Sequence, residues 1–346
     1  MEPRHLPARS VAGAMTGHRR LAAVGFGALA TTLLPSAVAA HGEAVTAPTF
    51  PGVLLAWSFD PLAIALIGAA ALVYLRAVRE VNAAHPHSPV PGWRTVAFLA
   101  GLAAITLALL SPIERYETAL LSVHMVQHML LQFVAAPLLL LAAPVTLALR
   151  VASPGARGWL LGVLHSRVLR VATHPLVAWT AFVVVNWGWQ FSPLYDLAAE
   201  STLVHYVQHA VYLGVALLFW WPIVAVDPAP RKLAFPGRVA YVALSIPQNS
   251  FLGITLMSVQ PSLYPHYWTQ LRNWGPPFAE DLQIAGAIMW GMGAMVFVLA
   301  LLLVLGAWMR SEERRTRRRE GRSDERKAAE ASLAAYRAGR EGRSDD

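Results

Sequence analysis

The chain has 346 residues, 56% of them hydrophobic and only 14% charged, with a positive mean hydropathy, a balance that excludes an ordinary soluble globular domain and points to a polytopic membrane protein. Its formal charge of +8 lies in inter-helix loops and the tail, with no Gly-rich or aromatic nucleic-acid motif between the basic residues, so the implied partner is membrane lipid and not nucleic acid. There is no cysteine, which removes disulfides, Cys-x-x-Cys metal sites and thiol catalysis and leaves His and Met for soft-metal chemistry.

Residues 1–40 have the three parts of a secretory signal: a basic start through Arg19-Arg20, an apolar run from Leu21 to Leu34, and Ser36-Ala-Val38-Ala-Ala40. Cleavage after Ala40 leaves His41 at the mature N-terminus, where amine and imidazole together are a secondary metal candidate. An uncleaved anchor with His41 in a loop is the alternative. Residues 41–309 are read as an all-α membrane helix bundle with seven transmembrane helices, since each span needs about 20 apolar residues. The stretches run from Pro61 to Leu75 (extended upstream through Val53), Thr95 to Leu110, Ala119 to Leu149, Leu176 to Trp189, Leu203 to Val226, Val239 to Val259 and Leu282 to Met309. Pro137 and Pro144 each remove a backbone donor, so the third helix is expected to kink or break.

Arg and Lys decide the orientation. They cluster after the first, third and fifth spans (Arg76, Arg79, Arg94; Arg150, Arg157, Arg167, Arg170; Arg231, Lys232, Arg238), while the alternate loops carry only Arg115 and Arg272. This predicts a bacterial inner-membrane protein with its N-terminus outside after processing and its C-terminus cytoplasmic. Between the third and fourth spans, Trp159 to Arg170 alternates apolar and basic faces at helical spacing and reads as an interfacial helix. Residues 310–346 read as a charged cytoplasmic tail, solvated and partly helical or disordered.

Two stretches say almost the same thing: Ser122-Val-His124-Met-Val-Gln127-His128 and Leu203-Val-His205-Tyr-Val-Gln208-His209. Adding 81 maps Ser111-Pro112 onto Ser192-Pro193, His124 onto His205, Gln127 onto Gln208 and His128 onto His209, so a helix hairpin is duplicated in the same orientation. In a helix, positions i and i+4 lie about 40° apart around the axis and about 6 Å along it, so each pair projects toward one point. Both stretches begin spans running inward, which puts all four histidines at one depth in the outer third of the membrane. A lone membrane histidine is ordinarily a helix–helix hydrogen-bond partner. Four in duplicated pairs suggest a shared metal site at His124, His128, His205 and His209.

With no thiol or carboxylate among the four, imidazole donors favour copper, or haem iron. One haem fits; two would collide, because the second pair lies only four residues deeper. Gln127 and Gln208 point about 100° from the histidines that follow them and suit interhelical bonding. Secondary metal candidates are Asp60 and Asp281 at the same level, His266 in the aromatic loop Tyr264-Pro-His-Tyr-Trp268, and Met289. Met289 heads a loose Met289/Met292/Met295 stripe that reads first as core packing. His85, His87, His165 and His174 are assigned to the cytoplasmic side.

From Trp57 to Met309 the chain resembles the seven-helix, CtaG-type cytochrome c oxidase assembly proteins. The resemblance is carried, in order, by Ser122 to Leu131 with Ala135 to Pro144, Thr173-His-Pro-Leu-Val-Ala-Trp179, Ser192-Pro-Leu-Tyr-Asp196, Asp227-Pro-Ala-Pro-Arg231, Phe251-Leu-Gly253 and Gln283 to Trp290. It implies a non-enzymatic role in maturing a haem–copper oxidase, by handling copper on the outer face for a cytochrome c oxidase subunit. Relatives in that family often carry His where this chain has Gln190, and near Gln248-Asn249; these departures would leave the site poorer in ligands. The competing readings are a b-type haem protein in electron transfer and a metal transporter.

Overall fold

The computed structural model describes residues 46–228, 233–270 and 272–341, with side chains described as far as residue 332. The expected signal or anchor, His41 and part of the tail lie outside the described residues. Among those residues every regular element is helical. After a single turn, α1 (Gly52–Leu55), Asp60 starts α2 (Pro61–Ala84) by accepting from the Leu62 and Ala63 backbone N–H groups at 2.8 and 3.2 Å, which satisfies two first-turn donors. α3 (Gly92–Leu110) follows, and Ser111 with Pro112 begins the short α4 (Pro112–Tyr116).

The third span is broken, as its prolines predict, but more elaborately. It comprises α5 (Leu121–Met129), a π-helical turn (Leu130–Ala135), α6 (Ala136–Leu141) and α7 (Pro144–Val151). In the π turn, bonds reach back five residues, so Gln132 is the carbonyl that Pro137 cannot serve. The Trp220 indole takes it instead, at 2.8 Å. Before Pro144 the chain turns through Ala143 in the left-handed region at φ 54°.

The N-termini of α5 and α7 are capped from elsewhere in the chain. Asp281 accepts from the Leu121 N–H at 2.7 Å, the Ser122 N–H at 3.3 Å and the Ser122 hydroxyl. Asp227 accepts from the Val145 and Thr146 N–H groups at 3.2 and 2.7 Å and from the Thr146 hydroxyl at 2.6 Å. Asp281 is fully buried, so Asp281→Ala strands two backbone donors and a hydroxyl at the start of α5. The expected loss is about 1–3 kcal/mol, read as a lowered unfolding temperature in detergent, with Asp281→Asn intermediate. An Asp281→Ala protein as stable as the parent would remove the cap from this account.

The expected single interfacial helix is two: α8 (Pro154–Leu164) and α9 (Arg167–Ala172), because Ser166 caps the second on the Leu169 N–H at 3.2 Å. α10 (Pro175–Gln190) covers the predicted fourth span but has only 16 residues, about 24 Å of helix. Among the described residues six helices are long and apolar enough to cross a membrane, which leaves the expected seven unconfirmed: Pro61–Ala84, Gly92–Tyr116, Leu121–Val151, Thr202–Val224, Phe235–Ser258 and Phe278–Ser332. α10 buries Ala178, Phe182, Asn186 and Gln190 as one stripe. Next come α11 (Pro193–Glu200), capped by Ser192, α12 (Thr202–Val224), α13 (Phe235–Ser258), the single turn α14 (Pro265–Trp268) and α15 (Phe278–Glu341). The duplicated hairpin is thus visible: Ser-Pro starts α4 and α11, and each short helix leads into one His-bearing helix.

α13 and α15 meet through Gly253 and Gly286, where an added Cβ would stand 2.8 Å from the Gly286 carbonyl and 2.4 Å from Met257 respectively. Small residues let the two backbones approach this closely. The charged tail continues α15 without a break. Its Ala, Glu, Arg and Lys content favours helix, and Arg326–Glu330 pairs at i,i+4 at 2.9 Å.

Candidate metal centre

α5 and α12 start at the same end of the bundle, and their buried faces bring all four predicted histidines together. The rings form a rectangle: His124–His128 centroids lie 4.4 Å apart, His128–His209 5.8 Å, His209–His205 4.1 Å and His205–His124 5.3 Å. All four are buried, with exposures of 0, 1, 2 and 6% for His124, His128, His205 and His209. The short sides are the i,i+4 pairs; the long sides require the two helices to pack face to face.

A fifth group was not foreseen. Glu117 is 1% exposed and brings a carboxylate to a site whose four primary candidates are all imidazoles. Its Oε2 lies 2.8 Å from His124 Nδ1 and its Oε1 lies 3.8 Å from His205 Nδ1. Glu117, His124 and His205 each offer a ligand atom, and these atoms lie within 4.8 Å of one another. Two atoms on one ion bound at about 2.1 Å are at most about 4.2 Å apart, so a small inward movement suffices. The carboxylate changes the expected chemistry to a mixed nitrogen and oxygen donor set. The signal available in the sequence was an acidic residue seven positions before His124, at the edge of an apolar run.

Hydrogen bonding assigns the proton on His124. The Tyr267 hydroxyl donates to the Glu117 carbonyl at 3.1 Å, so its oxygen accepts from His124 Nδ1 at 2.8 Å, and Glu117 Oε2 lies 2.8 Å from the same nitrogen as an ion-pair contact. Nδ1 therefore carries the hydrogen, and Nε2, buried without a hydrogen-bond partner, keeps its lone pair. Both ring nitrogens of His128 and Nδ1 of His209 are also buried without partners. Buried polar atoms are normally satisfied. Three imidazoles with orphaned nitrogens in one chamber are the donor chemistry a metal ion would satisfy.

Tyrosines close the chamber. Tyr195 faces His124 at 5.0 Å, Tyr212 stands edge-on to His128 at 4.5 Å, and Tyr264 packs edge-on against Tyr195 at 5.4 Å. Burial, reinforced by the neighbouring phenols and Glu117, pushes the Tyr195 hydroxyl well above the usual phenol range, and burial does the same to Tyr267. Both stay neutral phenols. A porphyrin would have to enter between rings 4.1–5.8 Å apart that also touch these tyrosines, so the packing favours an ion over haem.

The secondary candidates are used differently. Asp60 and Asp281 serve as helix caps, and Asp60 also accepts from the Tyr206 hydroxyl at 2.8 Å. Their oxygens are engaged because helix N-termini need acceptors. His266 stands one layer out: its N–H donates to Asp196 at 2.7 Å, Nε2 lies 3.2 Å from the Thr118 carbonyl, and its ring abuts Tyr267 at 5.1 Å. Met289 is packed in the core, whereas Met295 is 64% exposed. Six residues advance about 600° around a helix, so these sulfurs never shared a face. Gln127 bonds between helices as expected, donating to the Ala108 carbonyl at 2.9 Å and to Glu114 at 2.5 Å. Gln190, at a position where the resemblance led us to look for His, holds the Tyr264 hydroxyl at 2.7 Å behind Tyr195.

Comparison with known proteins places the chain among relatives. An uncharacterised protein of Mycobacterium bovis is 34% identical over 301 residues, covering 84% of this chain and 45% of its own length, and a Mycobacterium tuberculosis protein matches equally. A Mycobacterium leprae protein is 32% identical over 294 residues, covering 82% and 44%. The chain thus spans less than half the length of these relatives. No solved structure matches it significantly. The family model described as cytochrome c oxidase caa3 assembly factor (Caa3_CtaG) matches residues 72–311, a segment containing Glu117 and all four clustered histidines. With well over half its length so matched, the chain belongs to the cytochrome c oxidase caa3 assembly factor family.

Proposed function

We propose that this protein is a non-enzymatic assembly factor that binds copper in the chamber of His124, His128, His205, His209 and Glu117 and passes it to a cytochrome c oxidase subunit. The observation that carries the reading is the convergence of four buried imidazoles, three with orphaned ring nitrogens, beside a carboxylate. Membership of an oxidase assembly family supplies the destination. Copper is chosen because imidazole with a carboxylate oxygen suits Cu(II) well, and because a haem–copper oxidase consumes copper. The alternating Arg and Lys loops support an orientation with the chamber near the outer face and the C-terminus cytoplasmic.

Metal and haem content of the detergent-purified protein tests this, wild type beside a His124/His128/His205/His209 quadruple alanine variant. One or two copper ions per chain, absent from the variant, is the expected result. Haem with no copper would move the protein to electron transfer, and neither would leave it a scaffold for oxidase assembly.

A further inference from the structure

His209 has one nitrogen held by a side chain from the other His helix. Its Nε2 lies 3.1 Å from Gln127 Oε1. Which way the Gln127 amide points is settled by its other contacts: the Ala108 carbonyl, 2.9 Å from Nε2 of Gln127, can only accept, so the NH2 group faces it and the oxygen faces His209. An amide oxygen cannot donate, so His209 Nε2 must carry the hydrogen. Nδ1, buried and without a partner, is then the atom left with a lone pair.

The second hydrogen of that NH2 group goes to Glu114 Oε2 at 2.5 Å. Glu114 is half-buried at the polar end of an otherwise apolar cavity of about 610 Å³ between α2, α3 and α12, which His209 also lines. A carboxylate there is costly unless bonded. The bond polarises the amide, strengthening the acceptor presented to His209. The repeat has no equivalent: adding 81 to 114 and 117 gives Tyr195 and Ala198, so both carboxylates belong to one half of a duplicated site.

We propose that Glu114, acting through the side-chain amide of Gln127, is a positioning residue that fixes His209 as its Nε2–H tautomer and thereby makes Nδ1 its metal-binding atom. His124, whose Nδ1–H is held by Tyr267, presents the opposite nitrogen. The duplicated motif is used asymmetrically, with Nε2 from His124 and Nδ1 from His209. This rests on the metal-binding reading for its purpose but not for its test.

The test is solid-state NMR of the metal-free protein in lipid, with histidine labelled in 15N and 13C and His209 assigned by its absence from a His209→Asn variant. Wild type and Glu114→Gln, whose amide oxygen still accepts from Gln127, are expected to show the Nε2–H tautomer. Gln127→Leu is expected to show a mixture. A wild-type Nδ1–H tautomer, or a Gln127→Leu spectrum unchanged at His209, would overturn the proposal. Titration with copper(II) reads the part of Glu114: Glu114→Leu is expected to weaken binding about 10-fold, as outer-shell substitutions do, and Glu114→Gln to recover most of it. Equal affinities in all three proteins would overturn that part. A protein that binds no copper yet shows the tautomer defeats the copper reading and leaves the tautomer assignment standing.

Discussion

A His128→Ala/His209→Ala double variant is expected to lose copper binding by more than 100-fold and to leave the partner oxidase immature. The pair forms the side of the rectangle farther along both helices, at 5.8 Å, and supplies three orphaned imidazole nitrogens to the chamber. Outer-shell substitutions alone cost about 10–100-fold in metal affinity, so removing two ligands should exceed that. Folding should survive, because neither ring carries a cap, and the core around Met125, Met129 and Phe219 is untouched. The measurement is competitive copper titration of the purified variant together with oxidase activity in membranes of cells expressing only that variant. Full oxidase maturation in those cells would end the copper-delivery reading.

Glu117→Ala is expected to be the most damaging single change outside the histidines, lowering copper affinity about 10–100-fold. Removing the carboxylate deletes the 2.8 Å partner of His124 Nδ1 and the group nearest His205, though Tyr267 still accepts from His124. Glu117→Gln separates two roles. If Glu117 orients His124, the amide oxygen preserves the hydrogen bond and affinity falls only slightly; if Glu117 ligates the ion, a neutral amide is a poor replacement and the loss matches alanine. Copper EPR of the three proteins reads the same difference as a change, or none, in the oxygen donor set. Wild-type affinity in Glu117→Ala would remove the carboxylate from the site.

The histidine site was legible because its pattern is local twice over. The i,i+4 spacing fixes which histidines share a helix face, and the 81-residue repeat implies equal depth, so two short motifs predicted four convergent rings. Membrane character and the break near Pro137 and Pro144 were legible for similar reasons, since hydropathy and a missing N–H act on the residue that carries them. The Met289–Met295 stripe failed because spacing of three was followed past the point where the helix turns it away.

By itself, then, the sequence determined the helical membrane class and the four imidazoles, which depend on periodicity along one chain, and its ordered motifs carried the family resemblance. Tertiary structure alone decided that Glu117 folds from a loop beneath His124. It also decided that Asp281, 160 residues beyond Leu121, caps the helix bearing the first pair, and that Gln127 reaches His209 across the interface. Each is a partnership between groups whose hydrogen-bonding needs are local but whose partners are not. A buried carboxylate, an uncapped helix end and an imidazole nitrogen all demand a partner, and only packing chooses which one.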